Sequence, residues 1–425
     1  MHTLVFLEPG HFHAALTLRE GHPLVREQIA VYARPPDGPG GGRELAEFLA
    51  LVESFNRRTE RPTAWQTVVR TSDDPLAEVL HDRPGDVVIL AGKNDRKMAL
   101  ARRLHDAGFH VLADKPWLTG AAGLGDVRHV LSGGARVMEM MSGRHASTAS
   151  VANRLVGERT IFGEFVTGAA GPAISLTSVH HLEKVVNGAP LRRPAWYFDV
   201  RVQGDGLADI PTHLVDQAQR FAATHGVAVD RGLELVAARR WSTPVPRALF
   251  ARVTGLADFP ADLRAVVTDG VLAYAANAEL SFRLGDIEAR LATRWDLTEP
   301  AGGGDAHSAT ITGTESRVRI EQGPSTGFRR RLWVEPRGSN ARLATALQRA
   351  VVAWQPEYPG LEIVAGADEF EVRAPAGPGS AHEAQFALVL DEFLRTIDRG
   401  PWPDTRAAET LAKYELLARA LTAAA

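Results

Sequence analysis

Over roughly its first 140 residues the chain alternates short β-rich apolar runs with amphipathic stretches, and few architectures accommodate that alternation. Thr3 to Leu7, Ile29 to Tyr32, Thr67 to Arg70, Asp86 to Ala91 and Phe109 to Ala113 read as strands. A segment from His13, and the stretches Glu44 to Asn56, Pro75 to His81 and Arg96 to Ala107, read as the helices between them. Strands that alternate with helices pair parallel, so the pattern predicts an α/β fold whose first part is a doubly wound parallel sheet.

From about residue 160 the period changes from helical crossovers to strict alternation. Glu234 to Trp241, Glu279 to Arg283, Glu288 to Asp296, His307 to Thr312, Ser316 to Glu321 and Arg331 to Glu335 each alternate apolar with polar residues. Period two over many segments predicts an open, mostly antiparallel sheet with one wet face. The tail returns to helical spacing around Gly400-Pro401-Trp402-Pro403, which predicts two helices packing back on the body. With 425 residues the chain exceeds the size at which one core keeps growing. The reading is therefore a dinucleotide-binding domain over 1–142, a substrate-binding sheet domain over 143–380 and C-terminal helices over 381–425. The loops Arg34 to Gly42 and Glu299 to Asp305 are rich in glycine and proline and read as mobile connectors.

Composition excludes several function classes. A net charge of -3 gives no whole-protein attraction to nucleic acid or membrane. No window approaches the 18 or so apolar residues of a spanning helix. The N-terminus, Met1 to Glu8, lacks a basic region and a long apolar run, so it reads as a first strand in a cytoplasmic protein. The absence of cysteine removes thiolate catalysis and cysteine-ligated zinc or iron–sulfur centres.

The candidate chemistry gathers at strand ends and at one helix start. Leu7-Glu8-Pro9-Gly10-His11-Phe12-His13-Ala14 enters the first helix where a dinucleotide fold carries its glycine turn, with only Gly10 in place and Glu8 and His13 at the other two positions. The same residues also suit an ordinary strand-to-helix turn. His11 and His13 are ligand types, but no further ligand is identifiable in the sequence and no metal is expected. Strand two ends in Arg34 without the usual acid. Arg34 suits a 2′-phosphate or a solvated loop, which leaves NAD and NADP both open. Gly92, Asn94 and the Asp114-Lys115-Pro116 stretch follow later strands and so share the ligand edge of the sheet. Pro116 holds Lys115 out of helical conformation.

Further on, His180 and His181 stand adjacent, so on a strand only one of them faces a given pocket. Arg193 and Trp196 offer an anion contact and a stacking surface for a sugar ring, or a packed aromatic anchor. Gly206-Leu-Ala-Asp209-Ile-Pro-Thr-His213 places an acid and an imidazole four residues apart where a loop becomes a helix, which brings both to one face. A capped helix start with a core imidazole is the plainer alternative. Lys115, Asp209 and His213 together form the parts of a proton-transfer site.

These motifs resemble the Gfo/Idh/MocA family of oxidoreductases, whose strand-five Glu-Lys-Pro is matched by Asp114-Lys115-Pro116 and whose Asp-x-x-x-His pair is matched by Asp209 and His213. A less characterised branch with a distinctive C-terminal domain is similar in Pro9 to Ala14, Leu112 to Pro116, Ser178 to Phe198 and Ala412-Lys413-Tyr414. The resemblance implies a Rossmann domain followed by an α/β domain with an open sheet, NAD or NADP held by Pro9, Gly10, His11, Phe12, His13, Arg34, Gly92, Asn94 and Asp114 to Pro116, and a homo-oligomer, dimer or tetramer. It also implies Lys115 orienting a reacting hydroxyl, His213 as general acid/base and Asp209 on a neighbouring hydroxyl. His180, His181, Arg193 and Trp196 would then contact a carbohydrate. Two alternatives share the fold: glycoside cleavage or epimerisation through a transient keto-sugar with retained cofactor, and a silent sensor or scaffold.

Overall fold

The structure is a computed structural model that describes residues 1–35, 42–133, 136–168, 171–186, 189–374, 377, 382–399 and 404–424. The expected connector over Arg34 to Gly42 and the Gly400 to Pro403 break lie largely or wholly outside the described residues.

The chain divides into two compact units. The first comprises Met1–His145 and Pro378–Tyr414, the second Ala146–Gly377 and Glu415–Ala425. The first unit begins β1 (Leu4–Leu7), α1 (His13–Leu16), β2 (Gln28–Ala33), α2 (Gly42–Arg57), β3 (Gln66–Thr71) and α3 (Pro75–Asp82). It continues β4 (Val87–Leu90), α4 (Lys97–Asp106), β5 (His110–Asp114), α5 (Leu124–Leu131) and β6 (Val137–Met140).

The six strands pair parallel in the order β3-β2-β1-β4-β5-β6. Strand order therefore reverses between β1 and β4, and the loops leaving their carboxyl ends open on the crevice where this topology binds ligands. Strands β1 and β4 are buried along their whole length, which is why they read as unbroken apolar runs. Strand β6 is the one the sequence reading left out, because Glu139 interrupts its short apolar run. Helix α1 is a single turn. The Thr17 hydroxyl bonds back to Ala14 O at 2.7 Å, and Gly21 and Pro23 follow directly, so the helix has no room to extend.

The second unit starts with α6 (Ser147–Gly157), α7 (Arg159–Phe162), β7 (Ile174–Glu183), β8 (Val185–Val186), β9 (Ala189–Pro190), α8 (Val200–Gln203) and α9 (Pro211–Ala223). Then come β10 (Glu234–Pro246), α10 (Arg247–Thr254), β11 (Val267–Thr268), β12 (Val271–Leu284), β13 (Ile287–Thr298) and β14 (Ala306–Thr312). It closes with β15 (Ser316–Gln322), β16 (Arg331–Pro336), α11 (Asn340–Trp354), β17 (Glu362–Ala365) and β18 (Phe370–Arg373).

The large sheet runs β10-β12-β13-β7-β14-β15-β16-β18-β17, with β11 pairing β12. Every pair is antiparallel except β7 with β13, which is parallel. That register sets His180 beside Trp295 and Ser178 beside His307. Asp269 and Gly270, both at positive φ, turn β11 into β12, the two-residue chemistry that matches strand twist.

Two helices follow, α12 (His382–Arg399) and α13 (Asp404–Ala423). Phe386, Val389, Leu390, Phe393 and Leu394 of α12 enter the core of the first unit with Leu45, Phe48, Val52 and Phe55 of α2. Tyr414 within α13 is the last residue of the first unit. Among the described residues no helix is long and apolar enough to cross a membrane.

Candidate active site

The turn after β1 is built by backbone contact with the end of β4. Gly10 N and His11 N both donate to Ala91 O at 3.0 Å. Gly92 makes the approach possible, since a Cβ there would lie 2.4 Å from Glu8 O. Glu8 sits at φ 46, and its carboxylate takes Arg34 Nε at 2.8 Å and lies 3.7 Å from Arg96. Arg34 also donates to Asp73 O at 2.8 Å, so its guanidinium is tied down on two sides. Pro9 is buried behind the turn.

His13, at the position of the third glycine, is buried and bonds Asp114 Oδ2 through Nδ1 at 2.9 Å. His11 Nδ1 stands 3.4 Å from the same oxygen and makes no hydrogen bond. Burial holds the His13 imidazole well below its ordinary pKa against the pull of Asp114. Burial alone would raise the Asp114 pKa, but the His13 and His11 rings keep it well below the carboxylate range. The other oxygen, Oδ1, accepts Lys115 N at 2.9 Å. The carboxylate that meets His11 and His13 is thus Asp114, which lies 101 positions from His13.

Asn94 is buried and accepts from Lys97, a buried lysine whose Nζ also reaches Asp114 O at 2.7 Å. Lys97 escaped the sequence reading, because a helical lysine in a polar stretch gives no sign of burial. It braces the β4 and β5 loop ends together. Lys115 is half-buried at the end of β5 and joins Pro116 through a cis peptide. Behind it Trp117 stacks on Tyr414 with ring centroids 5.5 Å apart, and Trp117 N donates to the Tyr414 hydroxyl at 3.0 Å. That hydroxyl and Lys413 Nζ both engage buried Glu139, the lysine at 2.5 Å. The late Lys413-Tyr414 pair thus supports the Lys115 segment.

In the second unit, Gly206 lets the loop before α9 lie against β12. Its N–H donates to Ala275 O at 2.9 Å, and a Cβ would fall 2.5 Å from Asn277 C and O. Asp205 then organises the turn by accepting Leu207 N at 2.9 Å and Ala208 N at 3.2 Å. Asp209 follows, buried, two residues before the helix, with Pro211 at its first position. The Asp209 carboxylate does not cap α9; it accepts Gln203 Nε2 at 3.2 Å. His213 is half-buried, while Thr212, Leu214 and Val215 beside it are buried.

A second group forms where β7, β13 and β14 meet. Asp305 accepts Lys184 Nζ at 2.6 Å and His180 Nδ1 at 3.0 Å, and takes His181 N at 3.3 Å. With Nδ1–H given to Asp305, His180 Nε2 accepts the Ser178 hydroxyl at 2.7 Å. Ser178 Oγ in turn accepts His307 Nδ1–H at 2.8 Å. The expectation that His180 and His181 face apart fails here, since His181 Nδ1 also lies 3.6 Å from Asp305. β14 begins at Ala306, opposite Val179, so Asp305 occupies the open β7 edge beyond and reaches both rings. The expected mobile connector Glu299 to Asp305 is likewise anchored, by these bonds and by Glu299 N on Glu183 O at 3.1 Å.

His180 stacks on Trp295 at 4.9 Å. The Arg193 guanidinium covers Tyr197 at 4.5 Å and Trp295 at 5.2 Å, and donates to the His181 and Leu182 carbonyls at 3.1 Å. Arg193 is thus a buried stacking cation. Trp196 is half-buried on the 195–198 turn, while Trp295 and Tyr197 are buried against Arg193 and His180. Burial, opposed by Arg193 and reinforced by Asp209 and Asp305, holds the Tyr197 hydroxyl above its usual range, so it stays a donor. Trp295, Asp305 and His307 lie in segments that the sequence marks only as strands and a loop, because only sheet register brings them to His180.

Burial, with Arg330 and His180, holds His307 well below the ordinary histidine pKa. The unfolded chain therefore binds the proton first, and the stability this group contributes is full above about pH 6.5 and is lost as pH falls below it. Unfolding midpoints measured from pH 7 to pH 5 should decline less steeply in His307→Gln than in the parent. Equal slopes would contradict a buried neutral His307.

Residues 151–425 match the family described as "Putative oxidoreductase C terminal domain". A crystal structure of a putative oxidoreductase from Parabacteroides merdae is 32% identical, with TM-score 0.91, over 100% of this chain and 97% of that one. At 14% identity and TM-score 0.57, a putative myo-inositol dehydrogenase from Sinorhizobium meliloti shares the fold over 99% and 98% of the two chains. Levoglucosan dehydrogenase, in complex with NADH and levoglucosan, shares it at 15% identity and TM-score 0.62, over 99% and 97%. No curated protein matches by sequence. A matched C-terminal domain over more than half the chain, together with a full-length relative at 32% identity, places this protein in that oxidoreductase family.

Proposed function

We propose that this oxidoreductase uses a nicotinamide dinucleotide to move hydride to or from a secondary hydroxyl of a sugar, polyol or glycoside. The observation that carries the reading is the second unit's cluster of Asp209, Tyr197, Trp295 and His180, a buried acid and a hydroxyl held among packed rings. Buried polar groups of this kind select the hydroxyls of a sugar.

The first unit's chemistry suits the cofactor with an altered diphosphate contact. Gly10 and His11 amides are engaged by Ala91 O, but no backbone acceptor takes the Phe12 or His13 amide among the described residues. Arg34 and Arg96 offset the Glu8 charge at the lip. Pro9, Gly92, Asn94 and Asp114 to Pro116 shape the same edge of the sheet. The Arg34 contacts support NAD over NADP, because a 2′-phosphate would compete with Glu8 for that guanidinium.

When bound, the nicotinamide supplies the hydride acceptor or donor at its C4. In this reading His213 takes the hydroxyl proton as the carbon is oxidised and returns it in the reverse direction. Lys115 orients the hydroxyl and offsets its developing charge, and Asp209 holds a neighbouring hydroxyl. The experiment is a panel of sugars, polyols and glycosides incubated with enzyme and NAD. Net formation of NADH with at least one of them is expected. Product release without any net NADH would replace this reading with transient oxidation inside a cleavage or epimerisation cycle.

A further inference from the structure

We propose that His11, His13 and Asp114 form a binding site for one divalent transition-metal ion, zinc being the first candidate. One ring nitrogen each of His11 and His13 and an Asp114 oxygen lie within 4.8 Å of one another. The closest approaches are 2.9 Å from His13 and 3.4 Å from His11 to Asp114 Oδ2. Ligands about 2.0–2.2 Å from one ion stand roughly that far apart, so a metal fits with small side-chain adjustments. Two imidazoles and one carboxylate make a donor set that leaves coordination positions open for a substrate or water oxygen.

Three further observations point the same way. His11 Nδ1 is buried and has no hydrogen-bond partner, an unusual state that coordination would relieve. Asp114 is 4% exposed and its carboxylate faces the two imidazoles, so a cation between the three groups would compensate its charge. The supporting groups also orient the ligands: Lys115 N holds Asp114 Oδ1 at 2.9 Å, and Phe386 packs on the His13 ring at 4.3 Å. For a metal to bind at Nδ1, the ring proton that His13 directs at Asp114 moves to Nε2, and no oxidation state changes. The other cluster of ligand types among the described residues, His105, Asp106 and His129, differs in being more exposed, with His105 Nε2 already on Gly133 O.

The test uses the full chain, stripped with chelator and titrated with Co²⁺ without any dinucleotide, reading visible ligand-field absorption and metal per chain. One equivalent is expected. His11→Ala and Asp114→Asn should each weaken binding by more than about 100-fold, beyond the usual effect of losing an outer-shell partner. His129→Ala should leave it unchanged. No saturable spectrum in the parent, or one that survives His11→Ala and Asp114→Asn, would overturn the site. Because no nicotinamide is present, failure of the dinucleotide reading leaves this result intact, and the reverse holds as well.

Discussion

Replacing His213 with alanine should lower turnover about 10²–10⁴-fold, the usual contribution of a general base, while leaving the fold and dinucleotide binding in place. The fold should survive because His213 is half-buried while the packing face of α9 is supplied by Leu214, Val215, Ala218, Phe221 and Ala222. Steady-state rates on the best substrate of the panel, paired with thermal midpoints with and without NAD, check both halves of the statement. His213→Gln sharpens it, since an amide can hydrogen-bond but cannot take the proton. Turnover near the parent value in either variant would remove His213 from the chemistry.

Lys413→Met should destabilise the protein by about 3–5 kcal/mol, the range for breaking a buried ion pair from one side. Lys413 is 1% exposed and Glu139 4%, at 2.5 Å, so the substitution strands a carboxylate away from water. Glu139 also accepts the Tyr414 hydroxyl, and Tyr414 carries Trp117 directly after Lys115-Pro116. Amide hydrogen exchange should therefore quicken in the Asp114 to Trp117 segment. Denaturant unfolding checks the magnitude, and the double variant with Glu139→Gln should recover much of the loss, since no buried charge then lacks a partner. A single-variant change below about 1 kcal/mol would show that the pair is not buried in solution.

Much of the fold was legible because its signals are local. Buried β1 and β4 read as apolar runs, and the alternation in β13 through β16 matched their pleat. What escaped depended on distant partners. Strand β6 carries Glu139, which looks like a strand breaker until Lys413 and Tyr414 are seen on it, 274 and 275 positions away. Asp305 sat in a glycine-rich loop and read as a connector, yet it takes His180, His181 and Lys184 across more than 120 positions. The incomplete glycine turn was visible at once, but its reason was not. Only the structure shows His13 bound to Asp114 and the Gly10 and His11 amides held by Ala91.

A nicotinamide-dependent oxidoreductase must bind its dinucleotide, so binding by the purified chain is the decisive measurement. Small molecules released by denaturation would be identified by mass spectrometry, and thermal midpoints measured in added NAD and NADP. At 100-fold excess over the dissociation constant, binding adds about 2.7 kcal/mol of stability, enough for a clear upward shift. That shift is expected with NAD, larger than with NADP, or else dinucleotide that has co-purified. No released dinucleotide and no shift with either would contradict it and would identify the Glu8, Gly10 and His13 turn as one that has ceased to hold a nicotinamide.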